Sequence, residues 1–480
     1  MLFYICCIII VCIWNSWEGI EVKKKLYILI PVVLIIVGFA VYVFATVFFA
    51  GKPIKLVASV ADDKLMTAEE MKGDVDYTVD ILKKVHPKYY EGTLPNTEEI
   101  VKKAYERIKQ PMKAEEFYFI LNEIICSVDD AHTYMNKIAN NSDEVIDLPV
   151  AWLEEGMYVS KDRGGLKLGD KILSIGGKTH DEILNELKNY IPSENDQWVK
   201  FRGSSLIIKR SYLKQLGLIN KDQVEVKLQR LNEEVVITLP LVASNLDNIE
   251  GKRPWVGYTI EKESSIGVFY LDSCIYDKEY KNKLNEFFTE VRDNNIKNVA
   301  IDVRDNTGGD SRVINEFIRY LDIYNYTEFG SEVRYSEYSR EQREGIKKDG
   351  YIVKPKENIK NKKIEDESLI FKGKTYVLTS SKTFSSANWF AVIFKDNKLG
   401  TIIGEPTGNQ PSSYGDVLVF QTQNSKFAFQ VSYKKWTRPK EETVVENCLN
   451  PDITVYTTGK DILNNKDAQL EKLRELTKKS

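Results

Sequence analysis

The chain has 480 residues, of which 43% are hydrophobic, so it is long enough to bury more than one hydrophobic core. Its 67 basic and 70 acidic side chains leave a formal net charge of −3, which removes the electrostatic case for a nucleic-acid partner. Only Cys126, Cys274 and Cys448 lie outside the apolar N-terminal region, and the three histidines are scattered. This pattern predicts no disulfide framework, no metal site and no cofactor.

The N-terminal region predicts a membrane anchor. Residues 26–50 carry no charge and are numerous enough to cross a hydrocarbon core of roughly 30 Å as a helix. Three lysines at 23–25 precede this run, so the positive-inside tendency places the rest of the chain outside the membrane. We therefore expect residues 1–56 to be a leader and a single-pass anchor in the cell membrane, whether translation starts at Met1 or at Val22.

Residues 57–143 predict a helical N-terminal region. Thr67-x-x-Glu70 and Asn96-x-x-Glu99 have the form of capping boxes, and each opens a run with helical apolar spacing. A third helix is predicted over residues 114–128, and it ends at the sequence DDAHT.

Residues 144–250 predict a small β-rich domain, because short β-branched and aromatic runs alternate with glycine-containing turns. The segment LKLGDKILSIGGKTHDEIL resembles the second half of a PDZ domain. The interval from Val159 to Leu166 is too short for the usual strand and carboxylate-binding loop, so we expect a reduced PDZ-like domain that does not capture the C-terminus of a substrate.

Residues 251–465 alternate strands with helices, which predicts an α/β core followed by a C-terminal tail at 466–480. The predicted elements are residues 267–272, 278–292, 299–303, 311–321, 376–378, 385–396, 401–404 and 426–436. Two strands end in suggestive loops, IDVRDNTGGD and LTSSKTFSSANWF. Taken singly, the first is typical of a tight turn and the second of a serine that caps a helix.

Four motifs that follow one another along the chain indicate that these two loops belong to a catalytic site. They are DxRxNxGG at 302–309, TFSSA at 383–387, IIGEPTG at 402–408 and NPDI at 450–453. Together they resemble the core of the tricorn and C-terminal-processing (tail-specific) serine peptidases, in the tricorn-like branch. DDAHT, and HPKYY beginning at His86, fit the helical segment that precedes this core. The resemblance implies a crotonase-like α/β peptidase core.

The resemblance assigns roles to individual residues. Ser385 falls on the nucleophile, and the backbone N–H of Ser386, with that of Gly308 or Gly309, would form the oxyanion hole. The tail-specific branch uses a lysine base, but Gln410 stands near its place. His132 in DDAHT matches the histidine base of the tricorn branch instead.

Several points stay open at this stage. Asn388 replaces a glutamate that the family often has after the nucleophile. The acid that orients His132 is Glu441, Glu442 or Glu446. We expect a peptide or an unfolded protein as substrate, and the alternative is an inactive relative that binds a peptide or lipid in the same cleft. His86, before a proline, and His180 are expected to have no catalytic role, and the oligomeric state is undetermined.

Overall fold

The structure is a computed structural model that describes residues 54–90, 92–138, 144–244, 253–343, 348–441 and 444–478. The predicted anchor at 26–50 lies outside these residues. Within the described ranges, no helix combines the length and the apolar character needed to span a membrane. Residues 54–336 and 349–480 form one compact unit. Residues 337–348, which include the short helix Glu337–Gln342, belong to a separate unit.

The N-terminal part of the compact unit is helical, as predicted. Its elements are β1 (Leu65–Met66), α1 (Ala68–Val85), a 3₁₀ turn (Pro87–Tyr89), α2 (Pro95–Arg107), β2 (Met112–Lys113), α3 (Ala114–Cys126) and β3 (Tyr134–Asn136). The capping box of Thr67 and Glu70 is confirmed, since each side chain accepts a backbone N–H of the other. The box predicted at Asn96 is wrong. Helix α2 begins at Pro95 with Leu94 as its N-cap, two residues earlier than predicted, because proline is already shaped for the first helical position.

The second part is an antiparallel sheet with three helices. Its elements are β4 (Glu144–Ile146), β5 (Val150–Leu153), β6 (Gly156–Val159), β7 (Lys171–Ile175), α4 (His180–Leu187), α5 (Asp196–Leu206), α6 (Arg210–Gln215), β8 (Gln223–Arg230) and β9 (Glu233–Ala243). The strands pair in the order β4-β9-β8-β7-β6-β5. Residues 160–170, all of them described, contain turns and no strand. The region is β-rich as predicted, while its likeness to a PDZ domain stays a prediction.

The third part is a mixed six-stranded sheet flanked by helices. Its elements are β10 (Val256–Glu261), β11 (Ile266–Leu271), α7 (Lys278–Asp293), β12 (Asn298–Asp302), α8 (Arg312–Ile318), β13 (Asn325–Thr327), β14 (Gly330–Tyr335), β15 (Gly350–Lys354), β16 (Asn358–Lys360), β17 (Lys374–Thr379), α9 (Ser386–Asp396), β18 (Thr401–Gly404), β19 (Ser413–Gln421), β20 (Ala428–Thr437), β21 (Ile453–Thr454), α10 (Gly459–Leu463) and α11 (Ala468–Lys478). The sheet order is β10-β11-β12-β17-β18-β21. From β11 onward all neighbours are parallel, so the loops after β12 and β17 lie at the same edge.

A second sheet connects the N-terminal part to this core. Its strands pair in the order β15-β14-β20-β19, and β3 adds to β20. The register places Tyr134 opposite Gln430 and Asn136 opposite Ala428. Because β3 begins two residues after His132, this pairing fixes the DDAHT loop against the core.

The segment predicted as a C-terminal tail is not a free tail in the structure. Helix α11 packs on the main sheet, and Leu473 is fully buried there beside Leu378 and Ile403. Arg304, in the loop after β12, donates to Asp467 at 2.7 Å. The apolar spacing of a short helix is a weak signal in the sequence. Burial of its apolar side chains against the sheet nevertheless stabilises the helix in the fold.

Candidate active site

Ser385 occupies a strained turn between β17 and α9. Its backbone angles are φ 53° and ψ −127°, which an L-residue rarely adopts. Such a conformation costs on the order of 1–3 kcal/mol and is found mainly at functional sites. The Ser385 side chain makes no capping hydrogen bond to helix α9. The simple reading of this serine as a helix cap therefore does not account for its geometry.

The glycine pair after β12 packs directly against this turn. A Cβ atom added to Gly308 would lie 2.6 Å from the Cβ of Ser385 and 3.1 Å from its Oγ, so only glycine fits. The N–H of Gly308 donates to Asn306 Oδ1 at 2.8 Å, and the Asn306 side chain is fully buried. The backbone N–H of Gly309 has no hydrogen-bond partner among the described residues.

Ser386 begins helix α9, so its backbone N–H is among those that a helix leaves unpaired. That N–H has no partner in the described part of the chain. The Ser386 hydroxyl donates to the carbonyl of Gly309 at 2.7 Å, which ties the two loops together. Two residues later, Asn388 Nδ2 donates to the carbonyl of Gln410 at 3.1 Å. The two residues that depart from the family pattern are thus hydrogen-bonded to each other.

His132 lies beside the Ser385 turn. Its ring packs on the ring of Phe384, with centroids 4.5 Å apart, and Phe384 directly precedes Ser385 in the chain. The His132 Nδ1 atom is buried without a hydrogen-bond partner among the described residues, 3.9 Å from Asp130 Oδ1. Burial lowers the pKa of His132 below its usual 6.5, although Asp130 and Asp416 oppose this effect. The imidazole is therefore neutral at neutral pH.

Asp130 is a buried carboxylate that the sequence analysis did not single out. It accepts the backbone N–H of His132 at 3.0 Å, the Thr133 hydroxyl at 2.6 Å and His86 Nε2 at 3.1 Å. Burial alone would raise the pKa of Asp130, but the hydrogen bonds from His86 and Thr133 oppose this effect and hold the pKa well below the usual range. Its position two residues before His132 is the sequence signal that would have found it.

Both ring nitrogens of His86, which was expected to have no catalytic role, form hydrogen bonds. Its Nδ1 accepts the backbone N–H of Lys88 at 3.2 Å, so the ring caps the 3₁₀ turn. The proton must then be on Nε2, which donates to Asp130. Burial lowers the pKa of His86, partly opposed by Asp130, so the ring is a neutral donor. The third histidine, His180, begins α4 and lies beside Asp181.

Glu194, a partly buried residue, is the second acid that the sequence did not reveal. Its Oε1 accepts the backbone N–H of Ala131 at 3.3 Å and Asn409 Nδ2 at 3.4 Å, and its Oε2 has no partner in the described ranges. Burial, together with the charge of Asp130, raises the pKa of Glu194 to about 8. No local motif marks this residue, since it lies in the loop before α5, far along the chain from either predicted catalytic residue.

Two of the three acids proposed to orient His132 form ion pairs elsewhere. Glu441 forms an ion pair with Lys356 at 3.2 Å and has an exposed side chain. Glu446 pairs with Arg438 at 2.8 Å. Glu442 lies outside the described residues. The structure therefore does not bring Glu441 or Glu446 to His132, whereas Asp130 and Glu194 each have a carboxylate oxygen within 4.8 Å of a His132 ring nitrogen.

Three of these groups also have the donor set of a cation site. Asp130, His132 and Glu194 each offer one ligand atom within 4.8 Å of the others. Both oxygens of Asp130, however, already accept hydrogen bonds from the protein. We interpret the three residues, with the backbone groups that they bind, as a hydrogen-bonding network. The absence of a metal centre stays a prediction.

A cavity of about 880 Å³ opens beside this network. Its lining includes His132, Thr307, Phe384 and Trp198. The Trp198 ring stacks on Phe384 at 4.0 Å, and the guanidinium of Arg202 lies 5.8 Å from the Trp198 ring. A continuous aromatic wall thus leads from the cavity to the His132 ring.

A sheet edge that carries a strained serine at a helix start, next to a neutral histidine, is typical of serine hydrolases. Residues 265–455 match the family model described as "Peptidase family S41". This match covers the part of the chain that carries the four motifs, and it agrees with the serine-peptidase resemblance predicted from them. No curated protein sequence is significantly similar to this chain.

Comparison with solved structures supports the same fold. The structure titled mature CPAF complexed with lactacystin aligns with a TM-score of 0.61 at 14% identity, over 85% of this chain and 98% of that one. Mature CPAF alone gives a TM-score of 0.60 at 14% identity, over 85% and 97%.

Proposed function

We propose that this chain is a membrane-anchored, extracytoplasmic serine peptidase that hydrolyses peptide bonds in peptides or unfolded proteins. The family of residues 265–455 supports the reaction. The uncharged run at 26–50 and the lysines before it support the anchor and its orientation. The observation that carries the catalytic proposal is the packing of the His132 ring on Phe384, directly beside Ser385.

In the proposed reaction, Ser385 Oγ attacks the carbonyl carbon of the scissile peptide bond while His132 accepts the hydroxyl proton. Since His132 Nδ1 faces Asp130 at 3.9 Å, Nε2 is the nitrogen that we assign to the serine. The lowered pKa of His132 supports this role because the base must be neutral before attack. The anionic Asp130 then stabilises the imidazolium, and His132 returns the proton to the leaving amine.

The oxyanion of the tetrahedral intermediate needs donors that are free to bind it. We assign this role to the backbone N–H groups of Gly309 and Ser386, because both lack a partner among the described residues. The N–H of Gly308 is already held by Asn306. Gly308 would contribute instead by letting the backbone approach Ser385 closely. Each such donor is worth roughly 3–4 kcal/mol in the transition state.

The cavity supports a peptide as substrate. It is large enough for several residues of an extended chain, and its aromatic wall ends at the proposed base. Aromatic rings favour apolar side chains of a ligand, which unfolded proteins expose and folded ones bury. We therefore assign the cavity to the substrate residues next to the scissile bond.

A fluorophosphonate probe tests the proposal directly, because it labels only an activated serine. Purified full-length protein should be labelled, and Ser385→Ala should abolish the labelling. Ser381→Ala, a change on the same turn before α9, is the matched control and should label normally. Equal labelling of wild type and Ser385→Ala would refute the nucleophile. A folded wild type that neither labels nor cleaves, yet binds peptide, would favour the non-catalytic alternative.

A further inference from the structure

Three hydrogen bonds connect the loop that carries His132 to the turn that carries Ser385. Glu194 Oε1 accepts the N–H of Ala131 at 3.3 Å and the side-chain amide of Asn409 at 3.4 Å. Asn409 Oδ1 in turn accepts the backbone N–H of Ser385 at 3.2 Å. One carboxyl group thus links two segments that are more than 250 residues apart in sequence.

Asn409 is held rigidly in this arrangement. Its side chain is fully buried, and its carbonyl accepts the hydroxyl of Thr407 at 2.9 Å. Thr407 also accepts the N–H of Leu449 at 3.0 Å, and the N–H of Gly408 donates to Thr383 at 3.2 Å. Because the loop is tethered on both sides, Asn409 transmits a displacement of Glu194 to the Ser385 turn rather than absorbing it.

From this geometry we infer that Glu194 is a positioning residue, which holds the His132 loop against the Ser385 turn through Asn409. We call these hydrogen bonds, from Ala131 to Glu194 and from Glu194 through Asn409 to Ser385, the clamp. Its expected effect on the rate rests on the proposed function, whereas its effect on the position of the two loops does not. Separation of the two loops by about 1 Å would be enough to cost on the order of a hundredfold in rate, since the reacting groups must stay within hydrogen-bonding reach.

The charged groups around Glu194 define how the clamp depends on pH. Asp130 and His132 each have an atom within 4.8 Å of a Glu194 oxygen, and Lys88 is the nearby cation. Burial and Asp130 keep the Glu194 carboxyl protonated at pH 7, with a pKa of about 8, while Lys88 opposes them. Above that pH a second anion appears beside Asp130, and their repulsion should loosen the clamp.

The kinetic test uses full-length protein and four variants. Glu194→Gln keeps the shape and hydrogen bonding of the neutral acid, Glu194→Ala removes the clamp, Asn409→Ala breaks its second half, and the double alanine variant measures coupling. Glu186→Gln is the matched control, because Glu186 lies on α4 and pairs with Lys178, away from the candidate active site. Hydrolysis of a fluorescently labelled unfolded protein is measured from pH 6 to 9.5.

We expect Glu194→Gln to keep kcat within about twofold at pH 7 and to retain it above pH 8, where the wild type declines. Glu194→Ala and Asn409→Ala should each lower kcat at least about tenfold with little change in KM, and the double variant should add little. Near-normal kcat in either alanine variant would overturn the inference. So would a Glu194→Gln profile that declines above pH 8 as the wild type does.

Hydrogen exchange measured by mass spectrometry gives a readout that needs no activity. Peptides over residues 129–134 and 384–389 should exchange faster in Glu194→Ala than in wild type or Glu186→Gln, and Glu194→Gln should resemble wild type at pH 7. Unchanged exchange in both peptides would overturn the clamp even if the protein proved inactive. Conversely, an inactive wild type with the expected exchange pattern would refute the proposed function and leave the clamp supported.

Discussion

Replacing Ser385 by glycine and by alanine separates the strain of the turn from its chemistry. Both variants lose the hydroxyl, but only glycine accepts φ 53° and ψ −127° without strain. The relieved strain is on the order of 1–3 kcal/mol, and the extra flexibility of glycine in the unfolded chain offsets about 0.5–1 kcal/mol of it. We therefore expect Ser385→Gly to unfold with a free energy about 0.5–2 kcal/mol higher than Ser385→Ala.

The assay is urea unfolding of the purified full-length variants, followed by tryptophan fluorescence. The pair Ser386→Gly and Ser386→Ala is the control, since this residue begins helix α9. There the order should reverse, and glycine should be the less stable by about 0.5–1 kcal/mol. If Ser385→Gly is no more stable than Ser385→Ala while the control pair behaves as expected, the turn is not strained and this argument for a functional serine fails.

Four further predictions concern activity and topology. Ser385→Ala and His132→Ala should each remove most of kcat, with little further loss in the double variant, whereas near-normal turnover in His132→Ala would mean another base. Since burial lowers the pKa of His132, kcat/KM should stay level as pH falls from 7.5 to 6.5 and decline only at lower pH; a decline centred above 6.5 would contradict the assignment. Chelators and Lys426→Ala should leave hydrolysis unchanged, and sensitivity to either would refute the metal-free histidine mechanism. Protease added to intact cells should remove the domain after residue 55, and full protection would show the opposite orientation.

Local sequence patterns predicted the core elements well. Helix α7 was predicted within one residue because it is a long run with helical apolar spacing. Strand β18 was predicted at its observed bounds because it is a buried β-branched run. Helix α8 was predicted too long, since it ends at Ile318 rather than near Leu321. The capping box at Asn96 failed because the neighbouring proline begins the helix.

The orienting acid could not be predicted in the same way. Glu441 and Glu446 were proposed from their place in the chain, yet both pair with basic residues of the core. Asp130 and Glu194 come close to His132 because β3 adds to β20 and because the loop before α5 reaches Asn409. The contact of Glu194 leaves no periodic or local signature in the sequence, whereas Asp130 is marked only by its place two residues before His132.

The sequence by itself determined which strand-to-helix turns carry the serine and the glycine pair, because the residues that form such turns are neighbours in the chain. It also determined that residues 26–50 are apolar enough to span a membrane. Only the tertiary structure decided that His132 packs on Phe384 and that Glu194 lies close to the His132 ring. The physical reason is that these contacts arise from strand pairing and loop packing between distant segments, whose partners are selected by the burial of the whole fold and not by local propensity.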